Sequence, residues 1–226
     1  MLPDFWLNEG GQSAAGAAID RLLNLFSHDK EQEAAEQLGQ TLYQYLEERA
    51  VRETSGYSQS TVLAEGLHIV PEFAGNRSPI PNPHARAVIA GLGMGETSLV
   101  NIYIAGLIGL GYGLRQILEM QESNGVLTKN IVISGGAGQS KLVKQLLADT
   151  TGKIIVNPES PEPVLLGAAI LGAVASKSYP TAQAAMKAMA HIADSYAPNQ
   201  DFKSVHEQRY KIFCELQEIA HKVSVI

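Results

Sequence analysis

A glycine-rich turn between a predicted strand and a predicted helix is the part of this sequence best suited to ligand chemistry. It covers Ser134 to Ser140 and follows the apolar run Ile131 to Ile133. Such a turn lets a ligand approach the bare backbone, and the helix start offers unpaired N–H groups to an anion such as phosphate. A second run of this kind, Gly10 to Ser13, precedes another helix. Spacing alone leaves two interpretations open for each run, a ligand site or a plain turn before a helix.

Other familiar site patterns are missing or incomplete in the sequence. No P-loop motif occurs, and Glu96 stands where the run Gly91 to Glu96 would need the third glycine of a dinucleotide fingerprint. The six histidines are not spaced as metal ligands and there is a single cysteine, so we expect neither a structural metal nor an internal disulfide. Asp4, Glu9 and Glu72 are loop carboxylates that we interpret as solvated or capping groups rather than general bases.

The composition excludes some classes of partner. The net charge is -6 and the 17 Lys and Arg residues are scattered, so we expect no nucleic-acid partner. The apolar stretches are shorter than the ~18 residues that span a bilayer, so we expect no membrane partner, and the single cysteine favours a cytoplasmic location. Charged residues make up only 18% of the chain and apolar residues 45%, which indicates that more surface than usual must be buried, within the chain or against something else.

The apolar periodicity predicts an α/β fold with helices in excess. Predicted helices cover 14–26, 31–51, 97–123, 140–149, 164–175, 181–196 and 202–223, and predicted strands cover 67–70, 87–90, 131–133 and 153–156. We place the first helix N-cap at Ser13, and residues 131–156 form a predicted crossover unit with parallel strands. The long central helix contains Gly106, Gly109, Gly111 and Gly113, which predict close approach of a neighbouring helix or sheet.

Several segments, in chain order, resemble the C-terminal domain of the FGGY carbohydrate kinases, and most of all their ribulokinase-like branch. The segments that carry the resemblance are Gly10 to Asp20, Val70 to Pro79 with Pro83 to Arg86, Ala87 to Leu107, Ser134 to Gly136, and Pro163 to Ala169. The sequence departs from the family's signature at Gly106, usually a slightly larger residue, and at Ile108, usually acidic or Gln. The resemblance covers nearly the whole chain.

This resemblance implies the ATPase fold shared by actin, Hsp70 and hexokinase, a ribonuclease H-like mixed sheet with helices on both faces. It also implies ATP with Mg²⁺ as cofactors. By residue-to-residue correspondence, the nucleotide-binding positions are Gly16 and Asp20 in the first helix and Gly135, Gly136 and Ser140 in the later turn. Asp20 stands where glycerol-kinase-like members have an amide, and Ser140 where many have Asn. Both side chains can still form hydrogen bonds with a ribose or a purine.

The resemblance also implies what this chain does not carry. In the family, the catalytic aspartate, the phosphate loops and the sugar-binding residues precede the segment seen here. We therefore expect residues 1–226 to form one nucleotide-side domain that lacks its first strands, and sugar to bind through an N-terminal domain that is absent from this chain. No catalytic residue is assigned, and we expect the isolated chain to be inactive as a sugar kinase, whose whole form would phosphorylate a pentulose such as ribulose or a related polyol.

Two other functions remain open at this point. One is a non-catalytic remnant that binds nucleotide or protein, and the other is an ATPase activator of the same fold. An exposed sheet edge would favour aggregation or a partner chain. The late segment 181–223 is amphipathic and can dock on the domain itself or on a second copy, which would give a homodimer.

Overall fold

The computed structural model describes residues 6–94 and 97–223. The helices are Gly16–Leu23 (α1), Asp29–Gln37 (α2), Leu42–Thr54 (α3), Leu99–Ser123 (α4), Lys141–Thr151 (α5), Pro163–Ala175 (α6), Ala182–Met189 (α7) and Lys203–Val223 (α8). The strands are His68–Val70 (β1), Val88–Ala90 (β2), Asn130–Val132 (β3), Ile154–Pro158 (β4) and Ile192–Tyr196 (β5). Short 3-10 helices cover Ser58–Ala64, Gly136–Gln139 and Gln200–Phe202.

The long helix α4 is the centre of the core, and α1, α3, α5, α8 and β1 all pack against it. Its first turn is closed by a capping box in which the Ser98 side chain accepts from the Asn101 backbone N–H. A Cβ atom at Gly106 would lie 2.5 Å from Leu22 of α1, and one at Gly109 would lie 2.2 Å from the carbonyl oxygen of Ile69 in β1. The prediction that these glycines permit close approach is confirmed.

The crossover unit forms as predicted. Strands β3 and β4 are parallel, with Ile131 opposite Ile155, and α5 connects them. Helix α5 ends at Thr151 and is capped by Gly152, whose φ of 68° lies in the left-handed region that favours glycine. Strand β5 adds antiparallel to the other side of β4, so the sheet order is β3-β4-β5 and the sheet is mixed. Strands β1 and β2 form a separate antiparallel pair.

Three predictions about the elements are wrong. The predicted helix over 31–51 is two helices, because Gly39 adopts a φ of 66° and Thr41 then caps α3 through the backbone N–H of Gln44. The predicted helix over 181–196 ends at Met189, and the remaining residues pair with β4 as β5. The first helix begins at Gly16 after Ala15, so Ser13 is not its N-cap.

Helix α8 docks on the same chain. The guanidinium of buried Arg209 donates to the carbonyl oxygens of Ala64 and Leu67, each at 2.7 Å. His206 and Phe213 of the same face are also buried against the core. Since a buried cation without partners would be costly, these two hydrogen bonds fix the position of α8 against the end of the first 3-10 helix.

Helix α6 and strand β3 each leave apolar side chains at the surface. Of the residues of α6, only Ile170 is buried, while Val164 is 77% and Leu165 66% exposed. Val132 of β3 is 65% exposed, and β3 lies at the edge of its sheet. We call the exposed side chains of Val132, Val164 and Leu165 together with Leu171 the apolar surface.

Candidate functional site

The glycine-rich turn after β3 is open towards solvent. Gly135 has φ 76° and ψ -162°, a conformation that side-chain-bearing residues rarely adopt, and Gly136 then begins the short 3-10 helix. A Cβ atom built at Gly135 or at Gly136 would have no other atom of the described residues within 4 Å, its own chain neighbours apart. The turn therefore leaves room for a ligand to approach its backbone.

Ser140 links this turn to α5 and to α3. Its Oγ accepts from the backbone N–H of Val143 at 3.0 Å, which caps α5. The same hydroxyl donates to Oε2 of Glu47 at 2.7 Å. The other carboxylate oxygen of Glu47 accepts from the hydroxyl of Tyr103 at 2.9 Å. Burial and the neighbouring Glu47 raise the pKa of Tyr103 well above its ordinary value, so Tyr103 keeps its proton and remains a donor.

Asp20 is held by the same face of α3. The hydroxyl of Tyr43 donates to Oδ1 of Asp20, and burial together with this hydrogen bond raises the pKa of Tyr43. Tyr43 and Glu47 are four residues apart and therefore lie on one face of the helix. The ring of Tyr43 also contacts that of Tyr103, with 5.9 Å between centroids. One helix face thus connects Asp20 with Ser140, although they come from distant parts of the chain.

Gly16 begins α1, one turn before Asp20, and a Cβ there would meet no other atom of the described residues within 4 Å, its chain neighbours and the adjacent backbone of α1 apart. The sequence-predicted positions lie at helix starts, turns or exposed helix positions, and two of them, Asp20 and Ser140, form hydrogen bonds with side chains of α3; the positions are Gly16, Asp20, Gly135, Gly136 and Ser140. The arrangement presents open backbone at the turn and oxygen acceptors at Asp20 and Ser140, which suits a ligand that offers hydroxyl or amine donors.

The loop carboxylates form structural contacts. Glu9 pairs with Arg77, and Glu72 accepts from Gln217 at 2.6 Å and from His221 at 3.1 Å. Asp4 lies outside the described residues, as does Glu96. Gly91 has a φ of 91°, and a Cβ there would lie 1.8 Å from a backbone oxygen, which explains that glycine by packing. Among residues 6–94 and 97–223, no group of three or more His, Cys, Asp or Glu side chains is arranged to hold a metal ion.

A cleft of about 230 Å³ lies at the opposite end of α5, beside Gly152. Its cationic side chains are largely paired within it, Arg115 with Glu119 and Glu207, and Lys153 with Glu122. The cleft does not include any of the predicted site residues, and we assign no ligand to it.

Comparison with known proteins decides the family. Residues 1–176 match the model described as the FGGY family of carbohydrate kinases, C-terminal domain. The chain belongs to the FGGY family. An FGGY carbohydrate kinase domain-containing protein of Danio rerio is 34% identical over 96% of this chain and 41% of its own length. A D-ribulokinase of Saccharomyces cerevisiae is 34% identical over 77% of this chain and 25% of its own length.

Solved structures show the same fold. A xylulose kinase from Rhodospirillum rubrum superposes on this FGGY chain with a TM-score of 0.74 at 18% identity, covering 95% of this chain and 40% of that chain. The predicted α/β fold of the actin and hexokinase type is thereby confirmed. The FGGY chain spans about two fifths of the length of three curated relatives described as FGGY carbohydrate kinase domain-containing proteins. Within residues 6–94 and 97–223, no helix is long and apolar enough to cross a membrane.

Three residues at the site of this FGGY chain were not predicted from the sequence, namely Tyr43, Glu47 and Tyr103. Tyr43 and Glu47 have a signal in their spacing of four on an amphipathic helix, but that spacing is also that of an ordinary solvated face. Tyr103 reads as a core residue of α4, and it is indeed buried. Their common role is visible only once α1, α3, α4 and α5 are packed together.

Proposed function

We propose that this FGGY chain is the nucleotide-side domain of an ATP-dependent carbohydrate kinase. The observation that carries the proposal is that one face of α3 holds Asp20 through Tyr43 and Ser140 through Glu47, and that Ser140 follows the open turn at Gly135 and Gly136. Backbone without side chains allows the flat face of a nucleobase to approach closely, and the two oxygen acceptors suit ribose hydroxyls and the amine of adenine. Gly16 would lie across the nucleotide from Gly136.

The reaction of the whole kinase would transfer the γ-phosphoryl group of ATP to a hydroxyl of a sugar. We propose a pentulose or a related polyol as acceptor, which the names of the D-ribulokinase and xylulose kinase relatives support. Such a transfer needs in-line positioning and a carboxylate to take the proton of the hydroxyl. We assign no residue of this chain to that carboxylate. The cytoplasm is the proposed location.

Mg²⁺ would neutralise charge on the ATP phosphates during transfer. Mg²⁺ is commonly bound through one or two carboxylates together with substrate phosphates. The described residues contain no group of three or more metal-binding side chains, and we derive no step through the ion. This chain would act on the adenosine end of the nucleotide, by binding and orienting it.

We further propose that residues 1–226 form one domain, that this domain lacks its first strands, and that a sugar-binding half completes the kinase. The edge position of β3 and the apolar surface support this, because a parallel strand with exposed apolar side chains is typical of a sheet that continues. The short share of the relatives' length that the chain spans supports it too. In such an assembly sugar would contact the other half, and nucleotide would contact both.

Calorimetric titration with ADP tests the nucleotide site. We expect the wild type to bind ADP and the Gly136→Arg variant to bind at least about tenfold more weakly, since the arginine side chain would fill the space that the ligand needs. The open surroundings of Gly136 allow the larger side chain without a clash in the fold. Gly172→Arg, at an equally open and exposed glycine of α6, is the matched control and should bind as the wild type does. Equal heats for the wild type and Gly136→Arg would overturn the assigned site.

A further inference from the structure

The hydrogen bonds of Ser140 determine which kind of ligand atom it can meet. A serine hydroxyl has one proton to donate and two lone pairs to accept with. The carboxylate of Glu47 can only accept, so the proton in the 2.7 Å contact comes from Ser140. One lone pair of Ser140 accepts the backbone N–H of Val143. One lone pair of Ser140 remains for a ligand, and Ser140 can therefore only accept a hydrogen bond from that ligand.

Both carboxylate oxygens of Glu47 are held by hydrogen bonds. One carboxylate oxygen accepts from Tyr103 at 2.9 Å and the other from Ser140, while Tyr43, one turn earlier on α3, is tied to Asp20. Tyr103 is buried, so its hydroxyl cannot turn out to solvent. Rotation of the Glu47 side chain would break two hydrogen bonds at once. The Ser140 hydroxyl therefore keeps donating its proton to Glu47.

We propose that Glu47 is a positioning residue that makes this site select a 6-amino purine over a 6-oxo purine. The inference rests on the proposed function, since it concerns the nucleobase bound at Ser140. Adenine carries an amine donor at its sixth position, which matches the remaining lone pair of Ser140. Hypoxanthine and guanine carry a carbonyl oxygen there, which would place two acceptors against each other and leave both without a donor.

The test compares ADP with inosine diphosphate, which differs in having this carbonyl oxygen, by calorimetric titration. We expect the wild type to bind ADP at least about tenfold more tightly than inosine diphosphate, the ratio that one hydrogen bond supplies. Glu47→Gln keeps the shape of the side chain but brings an amide that can donate to Ser140, which frees the serine proton to point at the ligand. The ratio should then fall below about threefold.

Three further variants separate positioning from a structural role. Glu48→Gln makes the same change at the neighbouring, exposed position of α3 and should keep the wild-type ratio. Ser140→Ala should lower the ratio by itself, and adding Glu47→Gln to it should change the ratio no further, because the two residues act through one hydrogen bond. If Glu47→Gln does not fold, Ser140→Ala still tests whether the Ser140 hydroxyl sets the ratio of the two affinities.

The outcomes are distinguishable. If the wild type binds neither nucleotide, both the nucleotide site and this inference are wrong. If Glu47→Gln weakens both nucleotides equally and leaves their ratio unchanged, the nucleotide site stands and Glu47 has only a structural role. An unchanged ratio in Ser140→Ala would likewise overturn the inference while leaving the site in place.

Discussion

Acid should destabilise this protein through His206, a histidine buried where α8 meets the core. Its ring is 1% exposed, and Nδ1 lies 2.9 Å from the hydroxyl of Tyr112. Burial, together with the positive charges of Arg209 and Arg115, lowers the pKa of His206 from 6.5 to about 4. The His206 ring therefore binds a proton less readily in the folded protein than in the unfolded chain.

The size of the effect follows from the two pKa values. The folded-state pKa lies below the unfolded one, so the contribution of neutral His206 is fully present above pH 6.5 and is lost as the pH falls towards 4. At about 1.4 kcal/mol for each pH unit between them, the free energy of unfolding should drop by about 3 kcal/mol over that range, and by about 2 kcal/mol at pH 5.

Urea unfolding followed by circular dichroism at pH 7.5, 6.5, 5.5 and 5 measures this loss. His206→Asn should be less stable than the wild type at pH 7.5, because the core is repacked, but its stability should fall about 2 kcal/mol less between pH 7.5 and 5. His191→Asn, at an exposed position, serves as control and should follow the wild type. An NMR titration of the wild-type His206 ring should show no protonation above pH 5. Parallel pH curves for the wild type and His206→Asn, or a ring that titrates near 6.5, would refute the reasoning.

Two further predictions concern packing and turnover. Gly109→Ala should lower the free energy of unfolding, measured with urea, by about 2 kcal/mol or more, because its Cβ would lie 2.2 Å from the Ile69 carbonyl oxygen. Gly172→Ala, in open surroundings, should raise the free energy of unfolding by up to about 1 kcal/mol. Similar effects of the two substitutions would contradict the close approach of α4 and β1. The isolated chain should form no ADP from ATP in a coupled assay with D-ribulose or D-xylulose, and sugar-dependent turnover that is present in the wild type and absent from an identically purified Gly136→Arg preparation would show that expectation to be wrong.

Elements defined by contacts between near neighbours were predictable from the sequence. The unit β3–α5–β4 has a β-branched strand, a serine cap and a glycine stop within fewer than 30 residues, and each of these signals is local. The resemblance supplied the positions of the candidate site, and in the structure Asp20 and Ser140 both form hydrogen bonds with one face of α3.

Elements that depend on distant pairing were not predictable. The apolar spacing of Ala34, Leu38 and Leu42 continues across the break between α2 and α3, so periodicity gives no sign of the turn at Gly39. Residues 192–196 form strand β5 by pairing with the edge of β4, and no local sequence pattern indicates this pairing. The contact of Glu47 with Ser140 spans 93 residues, and its partners are known only from the packed structure.

The docking of α8 has a consequence for how the protein is made. The family match ends at residue 176, yet Arg209 and Phe213 close the core that α4 and β1 begin. During synthesis the elements emerge from the ribosome in chain order. The apolar side chains of α4 and β1 that face α8 therefore stay uncovered until α8 has been translated. The segment beyond the family match thus covers apolar surface that would otherwise favour aggregation of the nascent chain.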